Sequence, residues 1–182
     1  MQLRLVSKIH MVFEKLSKHH TNQLLDFELK NKQWFESLIE PRAKSFYSLK
    51  GVTEHIDSLI NQMNHDAAYS GVLLKNNTII ARANLKDISN NEAFVGYRVA
   101  EDFTSKGAAS FCLSQLIDIA QSKLNVTQLK ARVLENNPAS MHVLKKFGFQ
   151  AIDKNVNFIT LNGKQLSCTE FCIKYAYKSF KG

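Results

Sequence analysis

Residues 96–120 read GYRVAEDFTSKGAASFCLSQLIDIA, residues 131–149 read ARVLENNPASMHVLKKFGF, and these two stretches decide the fold. Hydrophobic spacing predicts that the first stretch contains the end of a strand at 92–100 and a helix from about 107 to 123. The second stretch continues a strand at 127–134. Strand, helix and strand in this order form a parallel crossover, so a ligand site is expected beyond the C-terminal ends of the two strands.

The start of the crossover helix has the composition of an anion site. From Phe103 to Lys123 the only acidic residue is Asp118, so the first turn has no carboxylate to accept hydrogen bonds from its free N–H groups. Gly107 lets the backbone approach a ligand closely, and the helix dipole favours negative charge there. The loop contains neither a Walker pattern nor a Gly-x-Gly-x-x-Gly fingerprint. Taken alone, it is equally compatible with an ordinary turn solvated by water.

The other elements follow from the same periodicities and from turn residues. Helices are expected at 17–31, from about Thr53 to Met63, and at 137–147, and an irregular aromatic-rich segment at 31–48 is broken by Pro41. Strands are expected near 9–16 and at 68–75, 78–88, 149–161 and 167–178. Turns at 75–77, 89–91 and 162–163 join neighbouring strands, which predicts an antiparallel meander and a final hairpin.

Size and composition indicate one globular domain spanning 1–182. The chain has 182 residues, of which 45% are hydrophobic, and it contains no low-complexity tract or linker. Its N-terminus lacks the apolar run of a signal peptide or membrane helix, so a soluble cytoplasmic protein is expected. A net charge of +8 favours an anionic partner without selecting nucleic acid, because the basic residues are spread along the chain.

Cysteine and histidine usage points away from a metal site. The three cysteines show no Cys-x-x-Cys spacing and are expected to be buried or half-buried free thiols. The six histidines show no metal-ligand spacing either, and they are expected to lie mostly on the surface: His10, His19, His20, His55, His65 and His142.

The two opening stretches resemble the acetyl-CoA-binding core of the GNAT N-acetyltransferases. Thr104 to Ala109 occupy the family's pyrophosphate loop, Gln/Arg-x-x-Gly-x-Gly/Ala, with Thr104 in place of the usual Gln or Arg. Asn137, Ser140, Gly148 and Phe149 match a second motif, Asn-x-x-Ser leading to Gly-Phe. More narrowly, the chain resembles the ribosomal-protein-alanine N-acetyltransferases (RimJ/RimL-like). The resemblance implies an α/β (α+β) fold whose mostly antiparallel sheet is splayed at a central parallel pair, with helices on both faces.

The resemblance also implies a set of cofactor-binding residues for acetyl-CoA. The pantetheine arm is expected to lie beside Arg98, Val99 and Ala100 like an added strand, with one of their N–H groups facing the thioester oxygen. The remaining expected contacts come from the loop and the second motif: Thr104, Ser105, Lys106, Gly107, Ala108, Ala109 and Asn137. Gly96, inside the strand, is interpreted either as the mark of a bulge or as a packing glycine.

Catalytic and acceptor residues are assigned by the same resemblance. Ser140 is the candidate proton donor to the departing thiolate, and a structural role in the first turn of its helix is the alternative. Because Ala93 and Phe94 occupy the strand where many members carry a carboxylate, the candidates for the base are Glu92 and Glu170. The acceptor side is expected to be built by residues of the aromatic-rich segment: Trp34, Phe35, Glu36, Glu40, Arg42 and Tyr47.

The expected activity is acetyl transfer from acetyl-CoA to a primary amine, and the favoured acceptor is a protein N-terminal α-amine such as that of a ribosomal protein. Three alternatives stay open: an acetyltransferase for a small amine (polyamine, amino acid or antibiotic), a catalytically weak acyl-CoA-binding module, and, least favoured, a nucleic-acid-binding domain. Neither a metal nor a membrane is expected as a partner, and the sequence is compatible with either a monomer or a homodimer.

Overall fold

Seven strands form one sheet in the computed structural model, which describes residues 11–176. In chain order they are β1 (Met11–Lys15), β2 (Tyr69–Lys75), β3 (Thr78–Ser89), β4 (Glu92–Val99), β5 (Gln128–Leu134), β6 (Gln150–Leu161) and β7 (Lys164–Lys174). Their order across the sheet is β1-β2-β3-β4-β5-β7-β6. Neighbouring strands are antiparallel except β4 and β5, which are parallel, so the predicted mixed sheet is confirmed.

Helices cover both faces of the sheet, as predicted. They are α1 (Thr21–Lys30), α2 (Lys32–Leu38), α3 (Leu49–Asn64), α4 (Ala108–Lys123) and α5 (Pro138–Lys146). Alternate strand residues divide between two apolar clusters. Leu73 joins a cluster with α4 and α5, whereas its neighbour Leu74 joins one with α1, α2 and α3. The two sets of helices therefore pack on opposite faces.

Asparagine-rich turns set the register of the hairpins. Asn76 and Asn77 have φ values of 49° and 59°, and Asn90 and Asn91 have values of 48° and 62°. Positive φ at both central residues gives a tight turn whose twist matches that of the strands. The predicted connections β2–β3 and β3–β4 are thereby confirmed.

The parallel pair is short, and the two strands then diverge. Only Glu92–Phe94 of β4 pair with Gln128–Lys130 of β5. Beyond this point β4 continues its pairing with β3, and β5 continues its pairing with β7. Gly96 lies in regular register opposite Asn84, and an added Cβ would have no atom within 4 Å. β4 does separate from β5 beyond Phe94, as the bulge interpretation expected, but the β3–β4 register shows no bulge at Gly96 itself and no neighbour packs against it.

Several predicted boundaries differ from the structure. The segment expected to be irregular contains α2, and α3 begins at Leu49 because the Ser48 side chain accepts a hydrogen bond from the Gly51 N–H at 3.0 Å. The second strand of the final hairpin begins at Lys164, earlier than expected. The ends of the predicted first and last strands, 9–10 and 177–178, lie outside the described residues.

The three cysteines are buried free thiols, as expected. Burial raises the pKa of the Cys112 thiol to about 12. Among the helices within residues 11–176, none is both long and apolar enough to cross a membrane.

We predict that Gly51→Ala destabilises the protein although alanine is the better helix former. The new Cβ would lie 2.2 Å from the carbonyl oxygen of Ser45, so the segment before α3 would have to move. Overpacking of this kind costs about 1–3 kcal/mol. Urea unfolding measures the loss, and Gly96→Ala, where the space is open, is the matched control. Equal stability of the Gly51 variant and the native protein would contradict the described packing.

Candidate active site

A cavity of about 550 Å³ opens where β4 and β5 diverge. Its walls come from α2, the end of β4, the loop and first turn of α4, and α5. The lining residues are Trp34, Phe35, Leu38, Ile39, Tyr97, Arg98, Val99, Phe103, Thr104, Ser105, Gly107, Ala109, Ser110, Asn137, Ala139, Ser140, His142, Val143 and Lys146. The cavity thus lies at the C-terminal ends of the parallel strands, where the crossover pattern predicted it.

The loop before α4 presents free backbone donors to the cavity. Gly107 is the N-cap residue with φ of 83°, and no side chain caps this helix. The first helical hydrogen bond runs from the Phe111 N–H to the Gly107 carbonyl at 2.9 Å, so the N–H groups of the preceding turn are available. The first turn contains no acidic residue. This arrangement suits an anionic group such as a diphosphate.

The first turn of α5 forms the opposite wall and carries a hydroxyl pair. The Asn137 side chain caps α5 by accepting a hydrogen bond from the Ser140 N–H at 3.1 Å, with Pro138 at the first helical position. The Ser140 hydroxyl lies 3.0 Å from the hydroxyl of Tyr97, which comes from β4. Burial raises the pKa of Tyr97 above its ordinary value, so this phenol keeps its proton at neutral pH.

Helix α2 forms a further wall of the cavity. The Trp34 indole N–H donates to the Val99 carbonyl at 3.2 Å, which ties α2 to the end of β4. Asn136 donates to the Ser37 carbonyl at 2.7 Å and links α2 to the segment before α5. Phe35 is buried beneath this wall.

Behind this wall lies a buried group of charges that we call the arginine cluster: Glu28, Arg42, Arg82 and Arg98. The fully buried Glu28 carboxylate lies 3.0 Å from Arg98, 3.5 Å from Arg42 and 3.6 Å from Arg82. The four residues come from α1, the loop before α3, β3 and β4. Three positive charges against one negative charge leave the cluster with a net charge of +2.

The pKa of His55 is affected by the positive charges of the arginine cluster. Its Nε2 accepts a hydrogen bond from the Arg82 guanidinium at 2.6 Å. Burial, assisted by the charges of Arg82 and Arg42, lowers the pKa of His55 to about 3, so the ring is neutral at pH 7. Burial also lowers the pKa of Arg82 to about 10, which keeps this guanidinium protonated at neutral pH.

The remaining residues expected at the cofactor site lie beside the cavity. Ala100 is buried and donates its N–H to the Ile80 carbonyl at 2.9 Å, and Ala108 belongs to the core under α4. The Lys106 ammonium is exposed and donates to the Asp102 carbonyl at 2.7 Å.

On the acceptor side, Trp34 and Phe35 line the cavity, and the other expected residues form a layer outside it. The Tyr47 hydroxyl donates to Glu36 at 3.2 Å, Arg42 belongs to the arginine cluster, and Glu40 is exposed.

The two candidate bases differ in their position along the sheet. Glu92 pairs with Gln128 at the N-terminal ends of the parallel strands, and Lys130 holds its carboxylate at 2.6 Å. The chain from residue 92 to residue 98 spans about 20 Å at ~3.3 Å per residue, so Glu92 lies far from the cavity. Glu170 lies opposite Arg132, near the C-terminal end of β5, and accepts a hydrogen bond from it at 2.9 Å. The geometry therefore favours Glu170 over Glu92.

The expectation of mostly surface histidines was wrong for two of them. His20 is buried and faces the Glu14 carboxylate at 3.3 Å, and His55 is half-buried beside Arg82. Glu14, His19 and His20 bring their ligand atoms within 4.8 Å of one another, a spacing that a cation could bridge. Their hydrogen bonds to each other and to Ser17 already account for this grouping, which joins β1 to the turn before α1.

Two functional candidates were missed in the sequence. Tyr97 lies on the same face of β4 as Ala93 and Val95, one residue before Arg98, so strand alternation carried a signal for it. Glu28 lies on the buried side of α1 with Leu24, which also follows helical spacing. Its three arginine partners come from separate elements, and no local pattern indicates that contact.

Comparison with known proteins agrees with this geometry. The model of a family described as the acetyltransferase (GNAT) domain matches residues 10–150. "Probable N-acetyltransferase YjcK" of Bacillus subtilis (strain 168) is 26% identical over 130 residues, which cover 69% of this chain and 72% of that protein.

Two solved structures share the fold at low identity. A ribosomal-protein-S5-alanine acetyltransferase from Vibrio fischeri superposes with a TM-score of 0.87 at 17% identity, covering 95% of this chain and 96% of that one. A spermidine N-acetyltransferase from Vibrio cholerae, in complex with CoA and spermine, superposes with a TM-score of 0.77 at 17% identity, covering 92% and 96%.

Replacing Glu28 with glutamine should destabilise the protein strongly. The change keeps the side-chain shape but leaves three guanidinium groups without a counter-charge, and removing one partner of a buried pair costs about 3–5 kcal/mol. Urea unfolding measures the loss, with Asp26→Asn on the exposed side of α1 as the control. A loss similar to that of the control would show that the cluster does not depend on the carboxylate.

Proposed function

This chain belongs to the GNAT acetyltransferase family and is an acetyl-CoA-dependent N-acetyltransferase, and from that premise we propose that its acceptor is the α-amine of a peptide or protein N-terminus. The fold is shared with acetyltransferases for ribosomal proteins and with one for spermidine. The choice between these classes of acceptor therefore rests on this chain's own residues.

The charge on the acceptor side is the observation that carries the choice. The arginine cluster places a net charge of +2 behind the α2 wall, and Arg98 reaches the cavity itself. A polyamine brings several positive charges, which this wall would repel in a partly desolvated site. A peptide N-terminus brings one amine that loses its charge before reaction. The alternative of a polyamine acceptor is correspondingly disfavoured.

The residues around the cavity fit acetyl-CoA on two counts. The uncapped first turn of α4 and its left-handed Gly107 offer backbone donors that would hold a diphosphate. Phe103, Val99 and Val143 supply apolar surface for the pantetheine arm, and Lys146 adds a positive charge at the same cavity. When bound, acetyl-CoA supplies the activated acetyl group as a thioester.

Ser140 and Tyr97 are the groups that we propose as the source of the proton for the departing sulfur. Transfer forms a C–N bond and breaks a C–S bond, so the departing sulfur must gain one proton. The Ser140 hydroxyl lines the cavity, and the Tyr97 hydroxyl lies 3.0 Å from it. Ser140 would donate its proton to the sulfur and take up the proton of Tyr97, which starts the step protonated because burial raises its pKa. Tyr97 would then regain a proton from water after the thiol leaves.

Glu170 is the base that the geometry favours. Its Oε2 accepts from the Arg132 Nε at 2.9 Å, so the second carboxylate oxygen is left to bind water. Because Glu170 does not line the cavity, we place it one water molecule away from the acceptor amine. Glu92, at the other end of β4, has no such position.

A panel of amines tests the proposed acceptor directly. The protein is incubated with acetyl-CoA and peptides with free N-termini, the same peptides with blocked N-termini and one lysine, or spermidine, while thiol release and product mass are followed. Free N-termini should have a kcat/KM at least about tenfold above that of spermidine, equivalent to ~1.4 kcal/mol. Preference for spermidine or for the lysine side chain would overturn the proposal.

Removing the Ser140 hydroxyl should slow the reaction without loosening the cofactor. We predict that Ser140→Ala lowers kcat about a hundredfold, within the usual range for loss of an acid catalyst, and leaves the Kd of acetyl-CoA within about twofold. Tyr97→Phe should have a smaller effect in the same direction. Rapid-mixing kinetics and calorimetry measure the two quantities, with the exposed Ser122→Ala as control. An unchanged kcat would remove Ser140 from the mechanism.

Replacing Glu170 with glutamine should produce a defect that depends on pH. At pH 7 we expect kcat/KM to fall about a hundredfold, because the amine is then largely protonated and must lose its proton to a base. The deficit should shrink as the pH approaches 9, since an α-amine with a pKa of about 7.7–8.0 is then already neutral. Glu92→Gln is the matched control. If Glu92→Gln lowered kcat/KM and Glu170→Gln did not, Glu92 would replace Glu170 as the assigned base.

A further inference from the structure

The arginine cluster has fewer acceptors than its donors require. Glu28 is its only buried carboxylate among the described residues. The Nε and Nη1 atoms of Arg82 and the Nε of Arg42 are buried and have no hydrogen-bond partner within residues 11–176. The Arg82 side chain is only 3% exposed, so these donors cannot all turn to bulk water. Unmet buried donors of charged groups cost free energy, and they show that the single carboxylate does not satisfy all the guanidinium groups of the cluster.

Nearby acids do not supply the missing negative charge. Glu36 accepts a hydrogen bond from Tyr47 at 3.2 Å and lies 4.0 Å from the Lys32 ammonium. His55 accepts a hydrogen bond from Arg82 and is neutral at pH 7, so it adds no negative charge. The net charge of +2 on the cluster is therefore not neutralised by these neighbours.

One arginine of the cluster, Arg98, reaches the cavity, and Arg42 is partly exposed beside it. The side chains of Arg98 and Arg42 are 19% and 22% exposed, and Arg98 lines the cavity. Both guanidinium groups lie against aromatic rings: Arg98 is 5.4 Å from the Phe35 ring centre, and Arg42 is 4.1 Å from that of Phe46. This setting limits hydration, so an anion that reaches the two arginines is attracted more strongly than at an open surface.

From this geometry we infer that Arg42 and Arg98 form an anion-binding subsite that recognises a carboxylate carried by the acceptor. The preferred acceptor is a peptide whose N-terminal amine is followed within one or two residues by Asp or Glu. The inference rests on the proposed function and narrows it to acidic N-termini. The amine enters between Trp34 and Ser140, while the carboxylate pairs with the guanidinium groups on the α2 side of the cavity. Pairing of this kind supplies specificity as well as affinity.

Matched peptides test the subsite on the native protein. Ala-Glu-Ala-Phe-amide, its Gln and Lys counterparts at position two, free glutamate and spermidine are compared as acceptors at fixed acetyl-CoA concentration. The Glu peptide should show a kcat/KM about tenfold above that of the Gln peptide, mainly through KM, and the Lys peptide should be the poorest. Added salt should narrow the difference between the Glu and Gln peptides.

An arginine variant then assigns the preference to the cluster. Arg42→Gln keeps donor groups but removes the charge, and it should cut the Glu-to-Gln preference to about twofold. Lys44→Gln removes an equal charge from an exposed neighbour outside the cluster and should keep the full preference. Acetyl-CoA affinity and the circular dichroism spectrum confirm that each variant is folded. Should Arg42→Gln fail to fold, inhibition of the native protein by the acetylated Glu and Gln peptides gives the same comparison, with the Glu product binding more tightly.

The outcomes separate this inference from the proposed function. Equal acetylation of the Glu and Gln peptides would overturn the subsite and leave the N-terminal acceptor standing. Acetylation of free glutamate but of no peptide would support an acceptor that carries a carboxylate and would overturn the proposal that the acceptor is a peptide. Acetylation of spermidine alone would overturn both. Loss of the preference in Lys44→Gln as well as in Arg42→Gln would show a general charge effect and overturn the assignment to the cluster.

Discussion

The separation of β4 from β5 is the constraint on which the site depends. Three residues of each strand pair in parallel, and then β4 follows β3 while β5 follows β7. The edges that face each other beyond this point lose their backbone partners, and the helices after both strands begin beside the gap. One topological feature thus creates the cavity, exposes the end of β4, and brings the first turns of α4 and α5 to opposite walls. A ligand can enter because the sheet does not close.

The two sides of this opening differ in the groups that can attract an anion. On the α4 side, backbone donors of an uncapped helix start suit the phosphates of the donor molecule. On the α2 side, three arginines share one buried carboxylate. The net charge of +8 would draw anions toward any part of the molecule, so the proposed phosphate and acceptor sites are distinguished only by local geometry. The Ser140–Tyr97 pair, which we propose as the proton source for the departing thiolate, also belongs to this cavity.

Local signals in the sequence predicted most helices and strands, but they did not indicate the long-range contacts. Gly107, Asn137 and the asparagine turns act within a few residues, so the helix starts and hairpins were accessible from spacing alone. Helix α2 was missed because seven residues rich in aromatic side chains show too little periodicity. Glu92 was one of two candidate bases because it lies on β4, and its place at the start of the parallel pair puts it at the end of the strand away from the cavity. Contacts such as Tyr97 with Ser140, or Glu28 with arginines from three elements, are set by packing.

The most direct test of the account is a crystal structure with a bisubstrate analogue, in which the sulfur of coenzyme A is joined through an acetyl linker to the N-terminus of an Ala-Glu peptide. The account predicts the diphosphate on the backbone amides at the start of α4, the linker beside Ser140, and the glutamate carboxylate within hydrogen-bond distance of Arg98 or Arg42. A diphosphate bound away from α4, or a glutamate side chain directed to solvent with the arginine cluster unchanged, would contradict it.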